Sequence, residues 1–189
     1  MMQTVNLARA ATEPLTRSRA IEIAMWVTAF TIATALSAQV RIPLPFTPVP
    51  LTLQTFFVLM AGVVLGPGWG SLSIGLYVAI GAMGIPVFSG GGAGLAHLSG
   101  ATAGYLLACP LAAFLAGALS GSHLKRLRVY AALLVSGLFI MVAGTFWLSL
   151  LLDLSLTEAA AAGFWPFIIG DLVKTAASAE IGMLIGRRS

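Results

Sequence analysis

The chain reads as long apolar runs broken by short polar or glycine- and proline-rich stretches. A helix that crosses a bilayer needs about 20 apolar residues, and somewhat fewer when other helices surround it. Six runs meet that need, at 21–40, 52–66, 70–85, 100–119, 129–152 and 166–186. They are continuous rather than alternating, which favours helices over the strands of a membrane barrel. The connectors differ in kind. "GPGWG" (66–70) is a tight turn by its glycine and proline content. "GIPVFSGGGAG" (84–94) is a glycine-rich loop, and "SGSHLKRLR" (120–128) is basic. "DLSLTEAAAAGFWP" (153–166) carries Asp153 and Glu158 and no basic residue. Prolines at 43, 45, 48 and 50 fix φ and disfavour helix in the residues before them. They predict a stiff, extended segment over 41–50, with the next helix starting near Thr52 and Gln54 in its first turn.

Composition supports this reading. Of 189 residues, 59% are hydrophobic and 8% charged, more apolar surface than a soluble core can use. The expected fold is an all-α integral membrane protein with six transmembrane helices: one membrane domain over 21–189, preceded by a polar cytoplasmic arm over 1–20. The first run exceeds a signal-peptide core and is expected to be a retained helix. Charge tests the count. Arg9, Arg17 and Arg19 precede the first run, Lys125, Arg126 and Arg128 follow the fourth, and Arg187 and Arg188 follow the sixth. Six crossings put all of them on one side, which the positive-inside rule makes the cytoplasm. The 41–51, 86–99 and 153–165 loops then share the outer face, where Arg41 is the one basic residue. Trp26 and Trp165 stand near span ends, as interfacial anchors do. The sequence pI of 9.8 therefore reflects membrane orientation and not a nucleic-acid partner.

Charges inside an apolar run are costly and so informative. In "PFIIGDLVKTAASAEIG" (166–182), Asp171 and Lys174 stand three apart and share a helix face. At 1.5 Å per residue they lie roughly 8 Å and 12 Å below Pro166. They form either an ion pair that fixes packing or the polar floor of an outward-facing pocket. Glu180 reads as an end charge near the cytoplasm. Gln54 either caps such a pocket or faces headgroups. "FSGGGAG" (88–94) allows a backbone to approach a ligand closely, which brings Ser89 and Gly90 into play. His97 lines the mouth or faces water. Ala20, Ala24, Ala29 and Ala33 recur at four-residue spacing in the first run, for close packing within the bundle or for docking another membrane subunit. The single Cys109 forms no intramolecular disulfide and reads as a small apolar residue. Enzyme chemistry has little support. P-loop, zinc-protease and G-x-S-x-G signatures are absent, and Ser99 or Ser89 beside His97 is the one arrangement that imitates a nucleophile and base.

The stretches "PFTPVPLTLQTFFVLMAGVVLG" (45–66), "GAMGIPVFSGG" (81–91), "GYLLA" (104–108) and "PFIIGDLVK" (166–174) together resemble the BioY family, over nearly the whole chain from Ile21. These are the biotin-specific substrate-binding (S) components of energy-coupling factor (ECF) transporters. The resemblance implies six helices, a biotin site near the outer face, and a place in the bacterial cytoplasmic membrane. It implies partnership with a transmembrane coupling subunit and two ATPase subunits, with the alanine face of the first helix as the docking surface. Biotin is then the transported substrate, and no cofactor is implied. Asp171 suits the ureido N–H groups, and Lys174 suits the ureido carbonyl or a carboxylate. Thr52 and Gln54 offer polar contacts, and Phe88 and Tyr77 are candidates to enclose the thioether ring. The 41–50 segment becomes the pocket's lid and the start of its wall. The chain departs from the family pattern twice. Ala101-Thr102-Ala103-Gly104 stands where relatives have Pro-Thr-Gly-Gly, and Gly92 stands where many carry a basic residue. An S component for a different vitamin, and an intramembrane hydrolase, are the alternatives. Homo-oligomerisation stays open.

Overall fold

The structure is a computed structural model that describes residues 17–121 and 124–188. Arg9, His123 and the first sixteen residues of the expected arm lie outside the described residues. Helix α1 (Arg17–Gln39) starts four residues ahead of the expected Ile21. Strands β1 (Arg41–Ile42) and β2 (Leu51–Thr52) follow, then helices α2 (Gln54–Ala82), α3 (Gly94–His97), α4 (Ala103–Ser120), α5 (Arg126–Leu152), α6 (Leu156–Gly163) and α7 (Ile168–Arg188).

Helix α2 is a hairpin of two limbs. Gly66 takes φ +80° and ψ 178°, outside helical space, and Pro67 follows it. Beyond the turn the limbs touch: a Cβ added at Gly70 would stand 2.8 Å from the Ala61 carbonyl oxygen. In a straight helix residues nine apart would be about 13 Å apart. The expected turn at 66–70 therefore forms, between limbs 54–65 and 67–82. The first limb is short because it has no lipid face: every residue over 58–66 is buried. It crosses α4 with little space between backbones. A Cβ at Gly62 would meet the Ala113 carbonyl oxygen at 2.3 Å, and one at Gly117 would meet the Pro67 nitrogen at 2.5 Å. Small residues at both positions let the helices approach without a hydrophobic driving force between them.

Among the described residues, α1, α2, α4 and α5 are long and apolar enough to cross a membrane. Helix α7 is long enough too, with Asp171, Lys174 and Glu180 along it. With α2 counted as two limbs, these elements make the six expected crossings. Leu107, Leu111 and Phe114 on α4, and Leu138, Val142 and Phe146 on α5, are exposed at helical spacing. Their outward face is as apolar as the core, as lipid solvent requires. Inside, the Thr31 hydroxyl lies 2.9 Å from both the Val27 and the Ser73 carbonyl oxygens, which ties α1 to the second limb of α2.

Two connectors differ from expectation. Residues 41–52 are not simply extended. Arg41 pairs with Thr52 and Ile42 with Leu51, so the proline-rich segment folds back as a two-stranded antiparallel hairpin. Prolines occupy the loop, where their missing N–H groups cost no ladder hydrogen bond. The 153–165 connector contains α6, started by a capping box in which Ser155 and Glu158 bond each other's backbone N–H. At the opposite end of the bundle, Glu180 is no free end charge. It accepts from Tyr130 Oη at 2.7 Å and pairs with Arg126 at 2.7 Å, joining α7 to α5.

Candidate functional site

At the end of the bundle that carries the β-hairpin and the glycine-rich loop lies a partly enclosed cavity. Its floor is on α7. Asp171 and Lys174 form an ion pair there, with side chains only 16% and 12% exposed. Lys174 Nζ also donates to the Thr52 carbonyl at 3.1 Å, and Thr55 Oγ1 donates to Asp171 Oδ1 at 3.4 Å. Both charges thus reach across to the start of α2. The two charges pair with each other where they line the cavity, because a charge left alone at this depth would be costly.

The walls come from three more elements. Gln54 is buried on α2, with Nε2 3.8 Å from Cys109 Sγ, and Cys109 in turn lies 3.1 Å from the Tyr105 carbonyl. Tyr105 donates its hydroxyl to the Gly163 carbonyl at 2.7 Å, which anchors α6 to the site. Thr102, Tyr105, Leu106 and Cys109 all line the cavity. Their spacing of three, four and seven residues puts them on one face of α4. Val49, from the proline-rich loop, packs with Met141, Leu148 and Phe167 and closes the upper side. The loop expected as a lid is therefore seated in the core at its centre, with Val49 5% exposed.

Asp171, Lys174, Gln54, Thr52 and Ser89 all line the cavity. Phe88 and Tyr77 do not. Phe88 is fully buried behind the lining, edge-on to Tyr77 at 5.6 Å and stacked on the His97 ring at 5.1 Å. Gly81 makes room for it, since a Cβ there would stand 2.1 Å from the Phe88 ring. These two aromatics brace the glycine loop, while Tyr105 and Phe167 supply the aromatic lining. Gly90 is also off the cavity wall. It takes φ +73° and lies under the Arg41 guanidinium. His97 faces the cavity instead of open water, with Nε2 3.4 Å from Thr102 Oγ1. Burial holds its ring below the usual histidine pKa. Ser99 donates to the Ala96 carbonyl at 2.9 Å, so no Ser99–His97 couple forms. In the space above Gly92, where relatives were expected to carry a base, stands the His97 ring. A Cβ at 92 would meet Nδ1 at 2.3 Å.

Sequence reasoning missed Thr55, Tyr105, Met141 and Phe167. The face of α4 at 102, 105 and 109 was a readable periodic signal. The placement of Met141 and Phe167 had none, because an apolar residue lining a cavity looks like one facing the core. The chain is matched by the model of the BioY family over residues 6–189.

The chain belongs to the BioY family.

The match spans all of the described residues. A probable biotin transporter BioY from Pyrococcus horikoshii is 43% identical over 156 residues, covering 82% of this chain and 90% of that protein. A biotin transporter BioY from Thermotoga maritima is 39% identical over 155 residues, covering 82% and 89%. Among solved structures, the S-component for biotin from an ECF-type ABC transporter superposes with a TM-score of 0.88 at 26% identity, covering 93% of this chain and 96% of that one. BioY proteins thus share both the sequence pattern and the bundle, and the family is one of transporter components rather than enzymes.

Proposed function

We propose that this BioY-family protein is the biotin-binding S component of an ECF-type transporter and captures biotin in the cavity above Asp171 and Lys174. The observation that carries the site is the ion pair on the cavity floor. It presents one acceptor and one donor side by side, the complement of a cyclic urea with N–H donors and a carbonyl. Charge-assisted hydrogen bonds in a water-poor site are strong, and they fix orientation as well as affinity. Gln54 offers a further donor and acceptor. Tyr105, Met141 and Phe167 offer apolar surface for the fused rings. With Asp171 bonded to the ureido N–H and Lys174 to the ureido carbonyl, the anionic tail points toward the β-hairpin.

The protein has no nucleotide-binding motif of its own, so uptake draws on partner ATPases and a transmembrane coupling subunit. On α1, Ala20, Ala24 and Ala29 are exposed and Ala33 is half-buried, which leaves the small-residue face free to receive that subunit. The basic ends of the helices support a cytoplasmic-membrane setting with the cavity facing out. Titration of purified protein with biotin by calorimetry, with thiamine and riboflavin as competitors, tests the assignment. Biotin binding that neither competitor displaces is expected. A wild-type protein that ignores biotin refutes it.

A further inference from the structure

A second, more open cavity lies beside the first and shares Pro50, Ser89, His97 and Thr102 with it. The two adjoin at those four residues, and the far end of the first rests on Asp171 and Lys174. The second is walled by Arg41. Among the described residues, the ion pairs at hand are Arg126–Glu180, far away, and Lys174–Asp171, on the floor. The Arg41 side chain has neither an ion pair nor a hydrogen bond among the described residues. Its position is nonetheless built. Gln39 Nε2 donates to the Val87 and Phe88 carbonyls at 3.2 and 3.0 Å, and the Gly91 N–H donates back to Gln39 Oε1 at 3.1 Å. That clamp holds the glycine loop against the end of α1. Two residues on, Arg41 is held in register with Thr52. Its guanidinium lies over Gly90, where a Cβ would stand 2.5 Å from Nη1. The Ser89 hydroxyl, lining both cavities, is buried and without a hydrogen-bond partner.

From this geometry we infer that Arg41, with the Ser89 hydroxyl, is the carboxylate subsite of this protein and sets its preference for an acid over a neutral analogue. The inference rests on the biotin reading above and deepens it. An elongated ligand with a neutral polar head and an anionic tail needs hydrogen-bond partners at one end and a cation at the other. The head is met by the paired charges on the floor, where Lys174 is already neutralised. The tail leaves toward the hairpin and needs an unspent cation with a hydroxyl donor beside it. His97 does not serve, since its ring is stacked on Phe88 and holds the space over Gly92. A guanidinium matches a carboxylate with two parallel N–H donors, which a lysine at that place would not. Thr52 links the two ends. Its carbonyl accepts from Lys174, and its strand partner is Arg41.

The test compares biotin with biotinamide, which replaces the carboxylate by a neutral amide, on the full chain in detergent. Wild-type protein is expected to prefer biotin by roughly tenfold or more. Arg41→Gln should lose most of that preference, weakening biotin far more than biotinamide, and Arg41→Lys should keep part of it. Ser89→Ala should weaken biotin more than biotinamide. A wild-type protein that binds both ligands equally overturns the inference. So does an Arg41→Gln protein that discriminates as the wild type does, which would point the tail at Lys174 instead. Should Arg41→Gln bind neither ligand, Arg41→Lys decides: a wild-type ratio or a reduced one supports the subsite, and a ratio of one with full biotin affinity overturns it. If wild-type protein binds neither, the biotin reading itself has failed.

Discussion

Replacing Asp171 and Lys174 singly and together separates what the pair does for the bundle from what it does for the ligand. The two side chains are only 16% and 12% exposed and in direct contact. Removing one partner strands the other, and a stranded buried charge costs about 3–5 kcal/mol. Each survivor keeps one weak hold here: Asp171 has Thr55, and Lys174 has the Thr52 carbonyl. That places Asp171→Asn and Lys174→Met at the lower end, about 3 kcal/mol each. Thermal midpoints should fall by about 6–12 °C for a chain of this size. The double variant strands nothing, and neutral side chains of similar volume replace a buried pair at about zero net cost. Its midpoint should therefore return to within about 3 °C of wild type. Biotin affinity should not return with it. A hydrogen bond to a charged group contributes about 1.5–3 kcal/mol, so each single variant should bind about 10- to 150-fold more weakly. The double variant should lose at least about 100-fold. Thermal unfolding in detergent and calorimetric titration read the two effects separately. A double variant as unstable as the sum of the singles would show that the charges are not coupled. A stable double variant that binds biotin as wild type does would show that the pair only packs helices.

Gly62→Ala should destabilise the bundle by about 2–3 kcal/mol, seen as a lower thermal midpoint, because the new Cβ lands on the Ala113 carbonyl oxygen and backbone cannot yield as a side chain can. Gly81→Ala should push the Phe88 ring out and weaken biotin binding by about tenfold with a smaller change in stability, since Phe88 braces the loop that carries Ser89. Nitrogen-15 or carbon-13 NMR of His97 should show a pKa below 6.5. The unfolded chain then binds the proton first, so His97 contributes stability that is present above pH 6.5 and is lost as pH falls through the lower folded value. A folded value at or above 6.5 would contradict the buried placement. Ser155→Ala should fray α6 by removing its capping box, at about 1 kcal/mol, and a helix as protected from hydrogen exchange as in wild type would count against it.

The crossings, their order and the end of the bundle that holds the site could be read from the sequence, because each depends on local quantities. A run of 20 apolar residues has one low-energy answer in lipid, and Gly66-Pro67 has few backbone conformations open to it. Charge in an apolar run is legible for the same reason, which is why Asp171 and Lys174 stand out in the sequence. Other features depended on which residues meet across the chain. Phe88 and Tyr77 had the right chemistry for a ring-binding wall, but the empty space over Gly81 drew Phe88 inward and left the wall to Tyr105 and Phe167. The prolines announced a stiff segment and not its pairing, since a two-residue ladder is set by where α1 ends and α2 begins. Arg41 looked like one stray charge on the outer side. Only the hairpin register and the Gln39 clamp place it over the glycine loop at the mouth of the cavity. Residue type determined what each side chain could do in lipid or water, whereas packing between elements distant in sequence decided what it touches.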